Sequence, residues 1–145
     1  MLSTLIFAEA TSTLCHIGVG AGAHRLFAHR SYKAKTPLRA LLAILFAFAG
    51  QQSLWLWTAW HRVHHKLTDT DADPHNSTRG FFYSHIGWLL TYDHDKFMEN
   101  YKKIDMSDME NDPIVMFHER YYDIFHLVYL MTLQLVLQRT SSFLS

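Results

Sequence analysis

The stretch ALLAILFAFAGQQSLWLWTAWHRVHH, residues 40–65, runs from an uncharged apolar segment into three closely spaced histidines. Residues 40–60 reach the roughly 20 residues that a helix needs to cross a bilayer. Gly50-Gln51-Gln52-Ser53 nevertheless divides them into a short apolar run and a tryptophan-rich half. Such lengths suit a re-entrant, interfacial or protein-covered segment. The break therefore indicates that this segment does not span.

Two further apolar stretches flank this one. Residues 1–23 carry Glu9 as their one formal charge, and residues 121–138 form a shorter apolar run that ends at Arg139. Helix is expected in all three stretches, because backbone polar groups in lipid must be satisfied within the segment. The polar sequence between them is rich in turn residues, and a helix is predicted at 93–103. These patterns predict an all-α integral membrane protein.

The composition of the 145 residues excludes several classes of protein. Basic and acidic residues balance at 13 each, and only 18% of residues are charged, so a nucleic-acid partner is not expected. A single cysteine, Cys15, rules out an internal disulfide framework and cysteine-based zinc or iron–sulfur sites. The unusual feature is histidine, with 11 residues.

Two histidine boxes lie where apolar segments meet polar sequence: His24-Arg-Leu-Phe-Ala-His29 and His61-Arg-Val-His64-His65. On a regular α-helix the second box places its imidazoles within an arc of roughly 100°, whereas His24 and His29 would be about 140° apart. Neutral imidazole suits iron, copper, zinc and nickel. Five imidazoles exceed what one tetrahedral zinc needs, which favours a two-metal centre. The alternative is that these histidines lie at the membrane interface and bind no metal. That role would account for a single histidine more readily than for two clusters.

Three segments closely resemble the membrane-bound fatty acid desaturases: HRLFAH at 24–29, HRVHHKLTDTDADPHNSTRGFFYSHIGWLL at 61–90 and IDMSDMENDPIVMFHERYY at 104–122. The resemblance is greatest to the animal acyl-CoA desaturases of the Δ9, stearoyl-CoA type. It implies O2 as co-substrate, cytochrome b5 as electron donor, and a cis double bond introduced into a long saturated acyl-CoA chain. It also implies two iron ions, with no catalytic side chain beyond their ligands His24, His29, His61, His64 and His65.

A shared metal centre constrains the topology. If residues 40–60 crossed the membrane, His29 and His65 would lie on opposite sides of a hydrocarbon core about 30 Å thick. We therefore predict a partial desaturase domain over 1–145, in which 1–23 crosses the membrane and 121–138 starts to cross back. Residues 24–120 are expected to be cytosolic and to carry both boxes, in agreement with their basic connector. The resemblance implies a multi-pass protein of the endoplasmic reticulum membrane.

The candidate substrate contacts are Gln52, Trp57, Arg62, Lys66 and Trp88. An acyl chain favours aromatic walls, although tryptophans in this region could equally form an interfacial belt. Where close relatives carry charged residues for the coenzyme A headgroup, this chain has Ala59-Trp60 and Tyr92-Asp93. An acyl-lipid therefore stays open beside acyl-CoA as the substrate.

The third histidine box of the family does not occur in these 145 residues, so we expect a fragment that is inactive alone. A catalytically dead truncated paralogue and a di-iron lipid hydroxylase stay open as alternatives. The sequence leaves open the double-bond position, the acyl length, the oligomeric state and the roles of Glu9, His75 and His85.

Overall fold

The computed structural model of the chain describes residues 2–142, with side chains up to residue 136, and the regular elements in that part are all helical. In chain order they are α1 (Leu2–Ile17), a π-helix (Gly18–Ala28), α2 (Thr36–Ala47), α3 (Leu54–Lys66), a 3₁₀ turn (Ser77–Arg79), a π-helical turn (Tyr83–Gly87), α4 (Trp88–Leu90), α5 (His94–Tyr101), α6 (Ser107–Glu110) and α7 (Pro113–Ser142). The prediction of an all-α fold is confirmed. Residues 1 and 143–145 of the predicted domain lie outside the described residues.

The first apolar stretch forms one continuous helix of 27 residues, Leu2–Ala28, in which α1 runs into the π-helix. Among the residues that the structure describes, it is the one helix long and apolar enough to cross a membrane, by length and composition. Several of its large apolar side chains, including Leu5 and Ile6, are exposed on the chain. The crossing proposed for residues 1–23 stays a prediction.

The apolar stretch 40–60 is divided between two short helices. The side chain of Ser53 caps α3 by accepting a hydrogen bond from the N–H of Leu56 at 3.2 Å. Gly50 and Gln52, in the turn between α2 and α3, have positive φ angles of 66° and 72°. Helices of 12 and 13 residues fall short of the roughly 20 that a span requires. The placement of this segment relative to a membrane stays a prediction.

The core lies where the π-helix, α2, α3 and α7 pack together. Phe46, Leu54, Val63 and Val115 are fully buried there. Gly18 permits the π-helix to approach α2 closely, because a Cβ at this position would lie 2.4 Å from the backbone nitrogen of Phe46. The π-helix, which carries His24 of the first box, therefore packs directly against the backbone of α2.

Local capping sets the helix boundaries in the polar region. The carboxylate of Asp93 accepts a hydrogen bond from the N–H of Lys96 at 3.0 Å and starts α5, so the helix predicted at 93–103 is confirmed with shorter bounds. Asp112 accepts a hydrogen bond from the N–H of Ile114 at 3.0 Å, immediately before Pro113. The helix that contains the apolar stretch 121–138 therefore begins at Pro113, and the crossing of that stretch stays a prediction.

Candidate metal centre

The π-helix brings the two histidines of the first box together. Each N–H in such a helix donates to the carbonyl five residues earlier, and the N–H of His29 donates to the carbonyl of His24 at 3.0 Å. Residues five apart therefore lie much nearer to the same face than they would on an α-helix, and the Nε2 atoms of His24 and His29 are 3.2 Å apart. The separation of about 140° expected from a regular α-helix is wrong for this reason.

The second pair of histidines comes from α3. His61 and His65 are four residues apart and share one face of that helix. The Nε2 atom of His61 lies 2.9 Å from that of His29, and the ring centroids of His61 and His65 are 4.5 Å apart. One ligand nitrogen from each residue lies within 4.8 Å of all the others in the set His24, His29, His61 and His65, here called the four-histidine cluster.

The surroundings of the cluster favour uncharged imidazoles. Burial, followed by the neighbouring histidines, lowers the pKa of His61 to about 3. Burial and nearby histidines also lower the pKa values of His29 and His65 below the ordinary histidine value. A neutral ring keeps a lone pair on one nitrogen, and this is the form that binds a metal. The rings of His29, His61 and His65 therefore favour the form that binds a metal.

The donor set decides which kind of ion these residues fit. Four imidazole nitrogens without a thiolate suit iron, copper, zinc or nickel, whereas Mg²⁺ and Ca²⁺ take oxygen ligands. The four-histidine cluster is compatible with a transition-metal centre, and iron is among the metals that it suits.

His64 is not a member of the cluster. Its ring centroid lies 5.4 Å from those of both His65 and His75, and its Nδ1 atom is 2.7 Å from the carboxylate of Asp73. His75, whose role the sequence left open, also contacts Trp88 at 4.5 Å between ring centroids. Burial lowers the pKa of His75. The assignment of His64 as a metal ligand stays a prediction.

Arg62 joins the two boxes. Its guanidinium donates to the carbonyls of Phe27 at 3.0 Å and Ala28 at 3.3 Å, at the end of the π-helix, and to both carboxylate oxygens of Asp108 at 2.8 and 2.9 Å. Arg30 forms a second ion pair with Asp108. Partial burial acts to raise the pKa of Asp108, but the hydrogen bonds from both arginines lower it to about 2. This network, the Arg62 brace, fixes the end of the first box against α3.

A cavity of about 520 Å³ adjoins the four-histidine cluster. The predicted substrate residues Gln52, Trp57 and Trp88 line it, and His61 forms part of its wall. Trp57 stacks on His61 with ring centroids 5.0 Å apart and an interplanar angle of 15°. The remaining lining residues are Gly50, Gln51, Trp60, His75, His85 and Leu89. A ligand in this cavity would lie directly against the cluster.

The other two predicted substrate residues lie elsewhere. Arg62 is engaged in its brace, and the ammonium group of Lys66 donates to the carbonyl of Lys103. Their assignment to the substrate stays a prediction. Sequence reasoning missed Asp73 and Asp108. The available signal for Asp73 was a carboxylate within a turn-rich segment soon after the second box, whereas nothing local marks Asp108.

Two histidine boxes converge beside a cavity with aromatic walls. They define an all-α protein with a histidine cluster that is compatible with a metal centre. The family model described as fatty acid desaturase matches residues 3–138 of this chain. The chain belongs to the fatty acid desaturase family.

Several curated relatives are similar over most of the chain. It is 53% identical over 121 residues to an acyl-CoA Delta-9 desaturase of Acheta domesticus, covering 83% of this chain and 34% of the relative. It is 49% identical over 121 residues to stearoyl-CoA desaturase 5 of Homo sapiens, covering 83% and 37%. It is 48% identical over 118 residues to an acyl-CoA Delta(11) desaturase of Trichoplusia ni, covering 81% and 34%. The chain thus spans about a third of the length of these relatives.

Proposed function

We propose that this chain is the part of an acyl-CoA desaturase that supplies the first two histidine boxes of its iron centre. The observation that carries the proposal is the position of the four-histidine cluster, one member of which, His61, forms the wall of the aromatic cavity. The names of the relatives, acyl-CoA and stearoyl-CoA desaturases, support the substrate class. The whole protein would introduce a cis double bond into a long saturated acyl chain.

The chemistry of the substrate explains why metal ligands are needed. A methylene C–H bond is strong and non-acidic, so no side-chain base can take its proton. Two bound iron ions would supply the oxidising chemistry with O2. In this chain His24, His29, His61 and His65 would hold one metal through their ring nitrogens, and His64 would contribute to the same two-iron centre. The lowered pKa of His61 favours the neutral ring that binds a metal.

The cavity residues would place the acyl chain beside the centre. Trp57 and Trp88 offer flat apolar surfaces, and Gln52 lies at the turn where α2 ends. Trp60 packs against both Trp88 and Tyr92, with ring centroids 5.1 and 5.7 Å apart. Aromatic rings therefore occupy positions at which the sequence lacks the expected charged residues, and an acyl-lipid substrate remains the alternative to acyl-CoA.

We further propose that the boxes face the cytosol at the endoplasmic reticulum membrane, where cytochrome b5 would deliver electrons. The basic connector around Lys35 supports this orientation through the positive-inside rule. A glycosylation acceptor inserted beside Lys35 should stay unmodified in microsomes. An acceptor at this site that receives glycan would overturn the topology.

A segment exchange tests the activity. The 121 matching residues of the Acheta domesticus desaturase would be replaced by those of this chain, and the chimera expressed in a desaturase-deficient yeast. We expect unsaturated fatty acids by gas chromatography. The same chimera carrying His61→Ala is the control and should give none, because it lacks a member of the cluster.

Each other product has a defined meaning. A hydroxylated chain without a double bond would support the lipid hydroxylase. A chimera that is expressed and folded at the level of the parent enzyme but makes no product would support the catalytically dead paralogue. Either result would overturn the proposed activity.

A further inference from the structure

Asp73 is a buried carboxylate that contacts one of the box histidines. Its side chain is fully shielded from solvent, and its oxygen Oδ1 lies 2.7 Å from Nδ1 of His64. The same oxygen accepts a hydrogen bond from the N–H of His75 at 2.8 Å, and Oδ2 accepts one from the N–H of Asp69 at 2.8 Å. Two backbone amides therefore hold the carboxylate in place, and the carboxylate in turn holds the imidazole.

The hydrogen bond to Asp73 determines which nitrogen of His64 is free. It occupies Nδ1, which lies 2.7 Å from the carboxylate oxygen Oδ1. The other ring nitrogen, Nε2, is left free to bind a metal. In His24, His29 and His61 it is likewise the Nε2 atoms that approach one another. The carboxylate thus selects for His64 the same donor atom that the cluster uses.

We propose that Asp73 is a positioning residue that fixes the tautomer and orientation of His64 for metal binding. The inference rests on the proposed metal centre and adds to it a residue outside the histidine boxes. Carboxylates behind metal-binding histidines raise the basicity of the ligand and restrict its rotation, and their loss typically lowers metal affinity by about 10–100-fold. At this site the effect would reach the metal only through His64.

The turn that contains Asp73 offers a matched control. Asp69 accepts hydrogen bonds from the N–H and the hydroxyl of Ser77 at 3.0 and 2.7 Å, so it stabilises the same turn. Its side chain makes no hydrogen bond to a histidine among the described residues. Asp69→Asn therefore perturbs the turn while leaving the carboxylate behind His64 in place.

The experiment is a cobalt(II) titration of the purified chain in detergent, followed through the visible absorption of the bound ion. Asp73→Asn is measured alone and in combination with His64→Ala. We expect a loss of about 10–100-fold in affinity in the chain with His64 and no further loss in the chain without it. We also expect Asp73→Asn to alter the absorption bands in the same direction as His64→Ala, and Asp69→Asn to leave them unchanged.

Several results would overturn the proposal. An equal loss of affinity with and without His64 would indicate that Asp73 only stabilises the turn, and so would an Asp69→Asn variant as weak as Asp73→Asn. The proposal would also be overturned if His64→Ala, or Asp73→Asn, left the affinity for cobalt(II) unchanged. The metal centre itself is tested separately by His61→Ala with His65→Ala. If the chain binds no cobalt, or if that double variant binds it as well as the unaltered chain, the proposed centre fails and the role of Asp73 fails with it.

Discussion

Removal of the Arg62 brace should destabilise the chain and loosen the metal centre together. Arg62→Ala leaves the carbonyls of Phe27 and Ala28 without this donor and takes two hydrogen bonds from Asp108. Loss of one partner from a buried ion pair is worth about 3–5 kcal/mol. The lower end applies here, because Asp108 is 29% exposed and keeps its ion pair with Arg30. We expect a loss of about 3 kcal/mol in the free energy of unfolding.

This loss is large enough to measure by heating the purified chain in detergent while following its helical circular dichroism. For a chain of this size about 3 kcal/mol corresponds to a fall of about 6–12 °C in Tm. Arg62→Lys should recover only part of it, since one ammonium group cannot reproduce the planar fork of donors. Arg79→Ala is the control. Arg79 is exposed, and its guanidinium lies 3.7 Å from the ring centroid of Tyr83, so we expect a loss below about 1 kcal/mol. Equal Tm values for Arg62→Ala and Arg79→Ala would refute the reasoning.

Three further predictions concern single positions. The pKa of His61 is lowered to about 3, so between pH 6.5 and 3 the unfolded chain binds a proton that the folded chain excludes, and the free energy of unfolding should fall as the pH drops through this range. In thermal unfolding measured across the same range, His61→Gln should flatten this dependence on pH, and an unchanged slope would contradict the prediction. Gly18→Ala should lower the free energy of unfolding by about 1–3 kcal/mol, because its Cβ would meet the backbone of α2. A Tm equal to that of the unaltered chain would contradict this, since it would show that the two helices can move apart without loss of stability. Gly50→Ala should lower the free energy of unfolding by about 1–2 kcal/mol, because the φ of 66° disfavours a side chain and the added Cβ would lie 2.9 Å from the ring of His126. Detergent-solubilised Gly50→Asn, which tolerates this φ better, should fall less in Tm than Gly50→Ala, and an equal or larger fall would contradict the backbone argument.

Much of the fold follows from patterns that lie close together in the sequence. The break at Gly50–Ser53 and the turn residues after the second box act locally, and so do the carboxylates that cap α5 and α7. The spacing of His61 and His65 likewise indicates one helix face without reference to any other part of the chain. The apolar pattern alone does not mark a helix boundary that is set by a cap. The apolar stretch begins at residue 121, for example, whereas α7 begins at Pro113.

The register of the π-helix could not be predicted from its own sequence. Hydrogen bonds from residue i+5 to residue i change which carbonyls of the helix are left free, and side chains outside the helix donate to these carbonyls. The hydroxyl of Tyr32 donates to the carbonyl of Ala21 at 2.7 Å, and Arg62 donates to those of Phe27 and Ala28. The packing of Gly18 against α2 is equally non-local. Because these contacts form only in the folded chain, box spacing alone predicts the wrong angle between His24 and His29.

The histidines of the cluster depend on this non-local structure for more than their positions. Nitrogen atoms of His29 and His61 can lie 2.9 Å apart only while at least one of the two rings is uncharged, since two imidazolium ions could not share a hydrogen bond. The contacts that hold the rings together therefore also oppose protonation, and the same burial and ring proximity that lower the pKa of His61 keep its lone pair available. A metal ion bound here would replace the proton shared between rings as the group that satisfies those lone pairs. This explains why the Arg62 brace, which does not belong to the cluster, should affect metal affinity: it maintains a ring arrangement that free imidazoles in water would not adopt. Asp73 would affect metal affinity by a separate route, through its contact with His64.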